Sequence, residues 1–159
     1  MKRLADWFGW LAGLSVFLMA LLVFCEVISR YVFHHAFMVA DEYSAYLLVW
    51  SVFLGFGYTM KGGGHIRVTA VITRFSPKAR DRLRLITLII LLAYVAVFAV
   101  YCSKLVFWTH RLGLRSETWI ETPQYFIQII MPIGLFAFAL ELLLEIKQTV
   151  KSLRGLASE

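Results

Sequence analysis

Apolar residues in this chain come in four long blocks separated by short polar stretches. The blocks cover residues 7–28, 43–60, 85–107 and 125–144. Each is close to or beyond the about 20 residues that a helix needs to cross the hydrocarbon core of a bilayer. The segment between the second and third blocks behaves differently. Lys61-Gly-Gly-Gly-His65 is a flexible break, and the ten residues after it are too few to span. Within them Arg67 and Arg74 lie seven apart and share one helical face, while Val68, Val71, Ile72 and Phe75 supply apolar cover. That pattern predicts a short amphipathic helix over 66–75 lying in the membrane interface, anchored by His65, Arg67 and Arg74. The expected architecture is an all-α integral membrane protein: four transmembrane helices, plus the interfacial helix between the second and third, in a single membrane domain over residues 1–159.

The polar residues that punctuate the blocks set the boundaries. Ser76-Pro77 reads as an N-cap followed by the first helical residue. The helix that starts there is expected to run to about His110, with Gly113 as its stop, and at ~51 Å it exceeds the ~30 Å core of a bilayer. Its first turns, rich in Lys and Arg, suit an aqueous, anionic surface. Thr122-Pro123 marks a second helix start. Inside the fourth block Pro132 cannot donate to the Gln128 carbonyl, so a kink is expected there. Small residues recur at four-residue spacing in the first two helices, at Gly9 and Gly13 and at Ser51 and Gly55. Such spacing lets membrane helices approach closely, and in an antiparallel hairpin Gly13 and Gly55 would lie at similar depth, packed on each other or on a partner.

Composition supports a membrane protein: 60% of 159 residues are hydrophobic and the mean hydropathy is +0.74. The first block follows Lys2 and Arg3, but it is too long for a signal peptide core and no small-residue cleavage site follows, so it is read as a retained helix. The net charge of +6 does not indicate nucleic acid, because its distribution follows a membrane rule. Twelve of the sixteen Lys and Arg fall at the two termini and between residues 60 and 85, and four at the opposite ends of the helices. The positive-inside rule places both termini and the 61–84 segment in the cytoplasm.

Charges also gather at the first turn. Glu26 and Arg30 are one helical turn apart, and Asp41 and Glu42 open the second helix. In a hairpin Arg30 and Glu42 would lie at one depth, so Glu26, Arg30 and Glu42 are expected to form one charge cluster, since a carboxylate near a membrane helix end is costly unless paired. Cys25 and Cys102 have no metal-ligand spacing and read as two free, packed thiols. No nucleotide-binding loop, dinucleotide fingerprint or nucleophile motif occurs. The histidines His34, His35, His65 and His110 all lie away from span centres, which argues against an embedded haem pair. No cofactor, metal or catalytic residue is expected, and the chain is read as a non-enzyme. A self-sufficient four-helix exporter of the small multidrug type is the alternative, though no acidic residue sits in mid-span.

Several short motifs occur in a telling order. Glu26-Val-x-x-Arg30-Tyr-x-Phe33 closes the first helix and Asp41-Glu42-x-Ser-x-Tyr46 opens the second, followed by Trp50 and Phe53-Leu-Gly55. Then come Gly64-His-Ile-Arg-Val68, Ser76-Pro77, Ser116-x-Thr118, Pro123 and Pro132-x-Gly134. Over nearly its whole length the chain resembles the small membrane subunit (Q subunit, DctQ-type) of tripartite ATP-independent periplasmic (TRAP) transporters. It departs from that pattern at Val39-Ala40, where a tryptophan is frequent, and at Thr69, where an acid is frequent. The resemblance implies a scaffold subunit in a bacterial inner (plasma) membrane, multi-pass, within a sodium-coupled uptake system for organic acids. Its implied partners are a large elevator-type membrane subunit and a periplasmic substrate-binding protein, alongside membrane lipids.

Overall fold

The computed structural model describes residues 2–35, 39–61, 77–118 and 120–155. The predicted interfacial helix, with His65, Arg67 and Arg74, lies outside them. Among the described residues there are five helical segments: α1 (Lys2–Val32), α2 (Val39–Lys61), α3 (Pro77–Arg111), α4 (Gln124–Gln128) and α5 (Ile130–Gly155). No strand is formed among the described residues; a lone antiparallel bridge joins Arg115 to Pro123. Among the described residues three stretches are long and apolar enough to cross a membrane, Ala5–Val32, Ala79–Arg111 and Gln124–Leu153. The helix expected from Pro77 is there, 35 residues long or ~52 Å. Gly113 stops it, with φ +61°, while the Leu114 N–H donates to the Thr109 carbonyl at 3.1 Å and the Gly113 N–H to His110 at 3.2 Å. Those two bonds with a left-handed glycine between make a Schellman cap.

Pro123 stands one residue outside α4, as its N-cap, with no side-chain cap bond; the Thr122 hydroxyl is buried and makes no hydrogen bond of its own. The helix is interrupted at Ile129, between Gln128 and Ile130. Pro132 accounts for the break, because its ring crowds the carbonyl four residues back and that carbonyl belongs to Gln128.

The helices pack as a row rather than a closed bundle. α1 lies against α2, α2 against α5, and α5 against α3. Each contact follows a three-and-four spacing. On α1 the buried or half-buried described positions are Ala5, Asp6, Phe8, Gly9, Ala12, Ser15, Met19, Leu22, Glu26 and Ser29, a seam in which the fully buried members are all small or polar. The opposite face carries Trp7, Trp10, Phe17, Phe24 and Tyr31, all strongly exposed. On α3 the buried residues are Leu88, Val95, Cys102 and Thr109, each seven after the last. Three of these join Leu135, Phe138 and Leu142 of α5 in the main core, with Phe53 and Phe56 of α2 beside them. Seams with a 3.5-residue repeat keep facing one partner when helices wind left-handedly around each other.

Two glycines permit the closest approaches. A Cβ at Gly134 would stand 2.7 Å from the Phe53 carbonyl carbon and closer still to its oxygen, so α5 rests on the backbone of α2. A Cβ at Gly9 would stand 2.6 Å from the Tyr58 ring. The expected pairing of Gly13 with Gly55 is not made. Gly55 faces Ala12, at 3.9 Å from an added Cβ, and Gly13 is exposed with nothing within 4 Å. The hairpin register set by Gly9–Tyr58 and Ala12–Gly55 turns Gly13 off the seam. Ser51 is half-buried, and its hydroxyl donates to the Leu48 carbonyl of its own helix at 2.7 Å.

Gly134→Ala is expected to destabilise the subunit by about 1–3 kcal/mol, since backbone cannot yield to the new methyl. Gly13→Ala should change it by less than ~0.5 kcal/mol. Melting of the purified subunit in detergent measures both, and equal melting temperatures would contradict the Gly134 contact.

Candidate functional site

At the end of the row where α1 turns into α2, polar side chains from three parts of the chain converge on one carboxylate. Glu42, in the first turn of α2, is buried. The Tyr46 hydroxyl, one turn along the same helix, donates to its Oε1, and the Thr118 hydroxyl, from the loop after α3, donates to its Oε2. Burial works to raise the Glu42 pKa, but the hydroxyls of Thr118 and Tyr46, with that of Ser116 beside them, outweigh it and hold the carboxyl below its ordinary range. The loop that supplies them is a small closed hairpin. The Ser116 N–H donates to the Thr122 carbonyl at 2.9 Å, the Gln124 N–H to Leu114 at 3.2 Å, and the Ser116 and Thr118 hydroxyls lie 3.0 Å apart. Glu121 takes the left-handed conformation its turn requires, with φ +47°, and pairs with Arg115 at 3.4 Å. Glu42 thus clasps the 114–123 hairpin onto α2.

Glu26 and Arg30 pair as expected, at 2.9 Å, with the carboxylate side chain 7% exposed and the guanidinium 56% exposed. Glu42 does not join them. In the register fixed by Gly9–Tyr58, Glu42 lies opposite Cys25, and Arg30 falls five residues, or ~7.5 Å, beyond it. The expected three-membered cluster is therefore two separate sites, an ion pair on α1 and a clasp on α2. Between them, the α1 terminus is closed by Ser29, whose hydroxyl donates to the His35 carbonyl at 2.7 Å, and by His34 at φ +52°.

The opposite end of the row is tied as well. Arg84 of α3 pairs with Glu145 of α5, and the Ser152 hydroxyl donates to Asp81 at 2.8 Å. Glu145 reads from sequence as a solvated helix end, and nothing local marks its partner sixty-one positions away. Tyr46 carried a local signal, its four-residue spacing from Glu42, whereas Thr118 carried none. Both cysteines are free, Cys102 packed in the core and Cys25 exposed. No group of three or more metal-ligating side chains occurs among the described residues.

The motifs of the clasp, the ion pair and the Pro132–Gly134 segment fall inside the region matched by the family of tripartite ATP-independent periplasmic transporters, DctQ component, over residues 19–152. The chain belongs to this DctQ family. It is thus a DctQ component of the TRAP transporter family, with helices long and apolar enough to cross a membrane. It is also similar to a Haemophilus influenzae protein named "Putative TRAP transporter small permease protein", at 34% identity over 70 residues. That likeness spans 44% of this chain and 44% of the relative, less than half the length of either.

The Glu42 clasp of this DctQ-type subunit has a defined pH dependence. The native carboxyl loses its proton at lower pH than in the unfolded chain, whose value is about 4.3. The native state therefore binds fewer protons in that window, and stability rises with pH through it. The clasp contributes fully above the ordinary carboxylate pKa and is lost as pH falls through the depressed native value. Glu42→Gln is expected to lower the melting temperature near neutral pH, with the gap from wild type closing on acidification below about pH 4. A gap that stays constant down to pH 3 would show that Glu42 is not held as an anion.

Proposed function

We propose that this subunit is a fixed scaffold in a sodium-coupled TRAP uptake system for organic acids. It would stand beside a large elevator-type membrane subunit and work with a periplasmic substrate-binding protein, in a bacterial inner membrane. The observation that carries this reading is where the polar groups are spent. Glu26 is bonded to Arg30, Glu42 to Tyr46 and Thr118, and Arg84 to Glu145, all near helix ends and all holding the chain to itself. The core between those ends is Leu, Val, Phe, Ala, Met, Ile and Cys102, and the hydroxyls of Ser15 and Ser51 there are bonded to carbonyls of their own helices. An alternating-access site needs polar groups at mid-depth on broken helices, and this chain spends its polarity on rigidity instead. That distribution supports a non-enzymatic scaffold over a carrier or catalyst.

In this reading α2 is the fourth span. The span is residues 43–60 of that helix, about 27 Å long against a ~30 Å core, with Glu42 just outside it; between α1 and α5 it meets protein on two sides, which suits its Tyr, Ser and Gly content. Both termini and the 61–84 segment face the cytoplasm, with an interfacial helix over 66–75 whose His65, Arg67 and Arg74 would hold the scaffold against its moving partner. The Glu42 clasp and the 114–123 hairpin then face the periplasm.

Labelling tests the topology. A cysteine placed at 118 should react with an impermeant thiol reagent added outside cells, and one at 62 should not; the reverse pattern would invert the model. Proteoliposome uptake tests the role. The subunit alone should move no organic acid under a sodium or proton gradient, yet its omission should abolish uptake by the large subunit and binding protein. Gradient-driven transport by the chain alone would overturn the scaffold reading, as would full activity without it.

A further inference from the structure

α3 is one edge of the helix row, and the face it turns away from α5 is chemically unlike the rest of the surface. Toward its C-terminal end, Tyr101, Lys104, Phe107, Trp108 and Arg111 are spaced three or four apart and share this face, opposite the buried Cys102–Thr109 seam. The three aromatic residues are 53–65% exposed, and both cations are exposed. Lys104 Nζ lies 5.6 Å from the centroid of the Tyr101 ring, and the Arg111 guanidinium 4.7 Å from that of Phe107. Aromatic faces steady a cation without neutralising it. No described carboxylate pairs with either one, and the helix itself has no acidic residue after Asp81.

A cation within an apolar span calls for a counter-charge. Read inward from the helix end, the face runs guanidinium, indole, ammonium, phenol, and then hydrocarbon and ring surface at Val97, Tyr94 and Ile90, all exposed. Charge at one end, amphipathic aromatics beside it and apolar surface below is the polarity profile of a phospholipid read from phosphate to acyl chain. We propose that this face holds an anionic phospholipid of the phosphatidylglycerol class, its phosphate between Lys104 and Arg111 and its chains along Val97, Tyr94 and Ile90. Lys104 and Arg111 are about 10 Å apart along the axis, and their long stems let both heads converge on one headgroup. The site rests on α3 crossing the membrane, as in the scaffold reading, and would seat the subunit at an edge that no other described helix covers.

The test is native mass spectrometry of the purified full chain released from nanodiscs of equal parts phosphatidylcholine and phosphatidylglycerol. Wild type should retain phosphatidylglycerol over phosphatidylcholine by about tenfold, the scale expected of two cations at a lipid surface. K104Q/R111Q should remove most of that preference, leaving only the part due to the basic first turns of α3, whereas R80Q/R82Q, at that other end, should lower it by less than half. Unchanged retention in K104Q/R111Q would overturn the site. So would a cysteine at 104 that co-reconstituted large subunit shields from thiol reagent in pure phosphatidylcholine, since the face would then belong to a protein partner. The labelling of position 118 reports separately whether α3 crosses the membrane, so a failed topology and a failed lipid site give different results.

Discussion

Two leucine faces gain little by leaving lipid for each other, because lipid tails are as apolar as they are. Association of these helices therefore depends on how closely backbones can approach and on which polar groups they can join. The contact of Gly134 with the Phe53 backbone is the tightest expression of that constraint. It sets α5 against α2, and α5 in turn packs α3 through Leu135, Phe138 and Leu142. On the other side, the α1 seam of Ala5, Ala12, Ser15 and Ser29 lets α1 settle on α2, while its tryptophans and phenylalanines face outward. The arrangement inverts that of a water-soluble bundle, for the same thermodynamic reason.

Polar contacts fix the two ends of the row. The Glu42 clasp binds a closed hairpin to α2, and Arg84–Glu145 joins α3 to α5 near the other end. Neither bond is local in sequence, so each ties elements that the chain alone would leave free to slide. The break at Ile129, forced by Pro132, lies between the clasped hairpin and the Gly134 contact, where the structure on both sides holds it in place. For a DctQ component of the TRAP transporter family, this is a chain stiffened at both ends and along its centre.

The row leaves α1 and α3 as edges, and the two edges differ. That of α1 is aromatic and uncharged from Trp7 to Phe24, whereas that of α3 carries Lys104 and Arg111 among aromatics near one end. A row presents more outward surface than a closed bundle of the same helices, which suits the scaffold role proposed above.

Much of this was legible in the residues. The apolar blocks, the helix from Pro77 to the Gly113 stop, the break before Pro132 and the Glu26–Arg30 pair all follow from short-range rules. Hydrophobic length, proline sterics, a left-handed glycine and a four-residue spacing act within one or two helical turns. The ordered motifs carried the family for the same reason. What failed was everything that required register. Gly13 and Gly55 share a spacing rule, yet which glycine meets which residue depends on how the hairpin slides and rotates, and the ring of Tyr58 settled against Gly9 instead. The same register moved Arg30 past Glu42 and divided one expected cluster into two sites. Thr118, Glu145 and the Phe53 carbonyl found their partners across the row, through contacts between side chains or backbone far apart in sequence. The sequence by itself determined which segments are helices, where they stop and that they belong in a membrane. Only the tertiary structure decided which faces meet, because in lipid that choice is made by steric fit between whole helices rather than by the hydrophobicity of any residue.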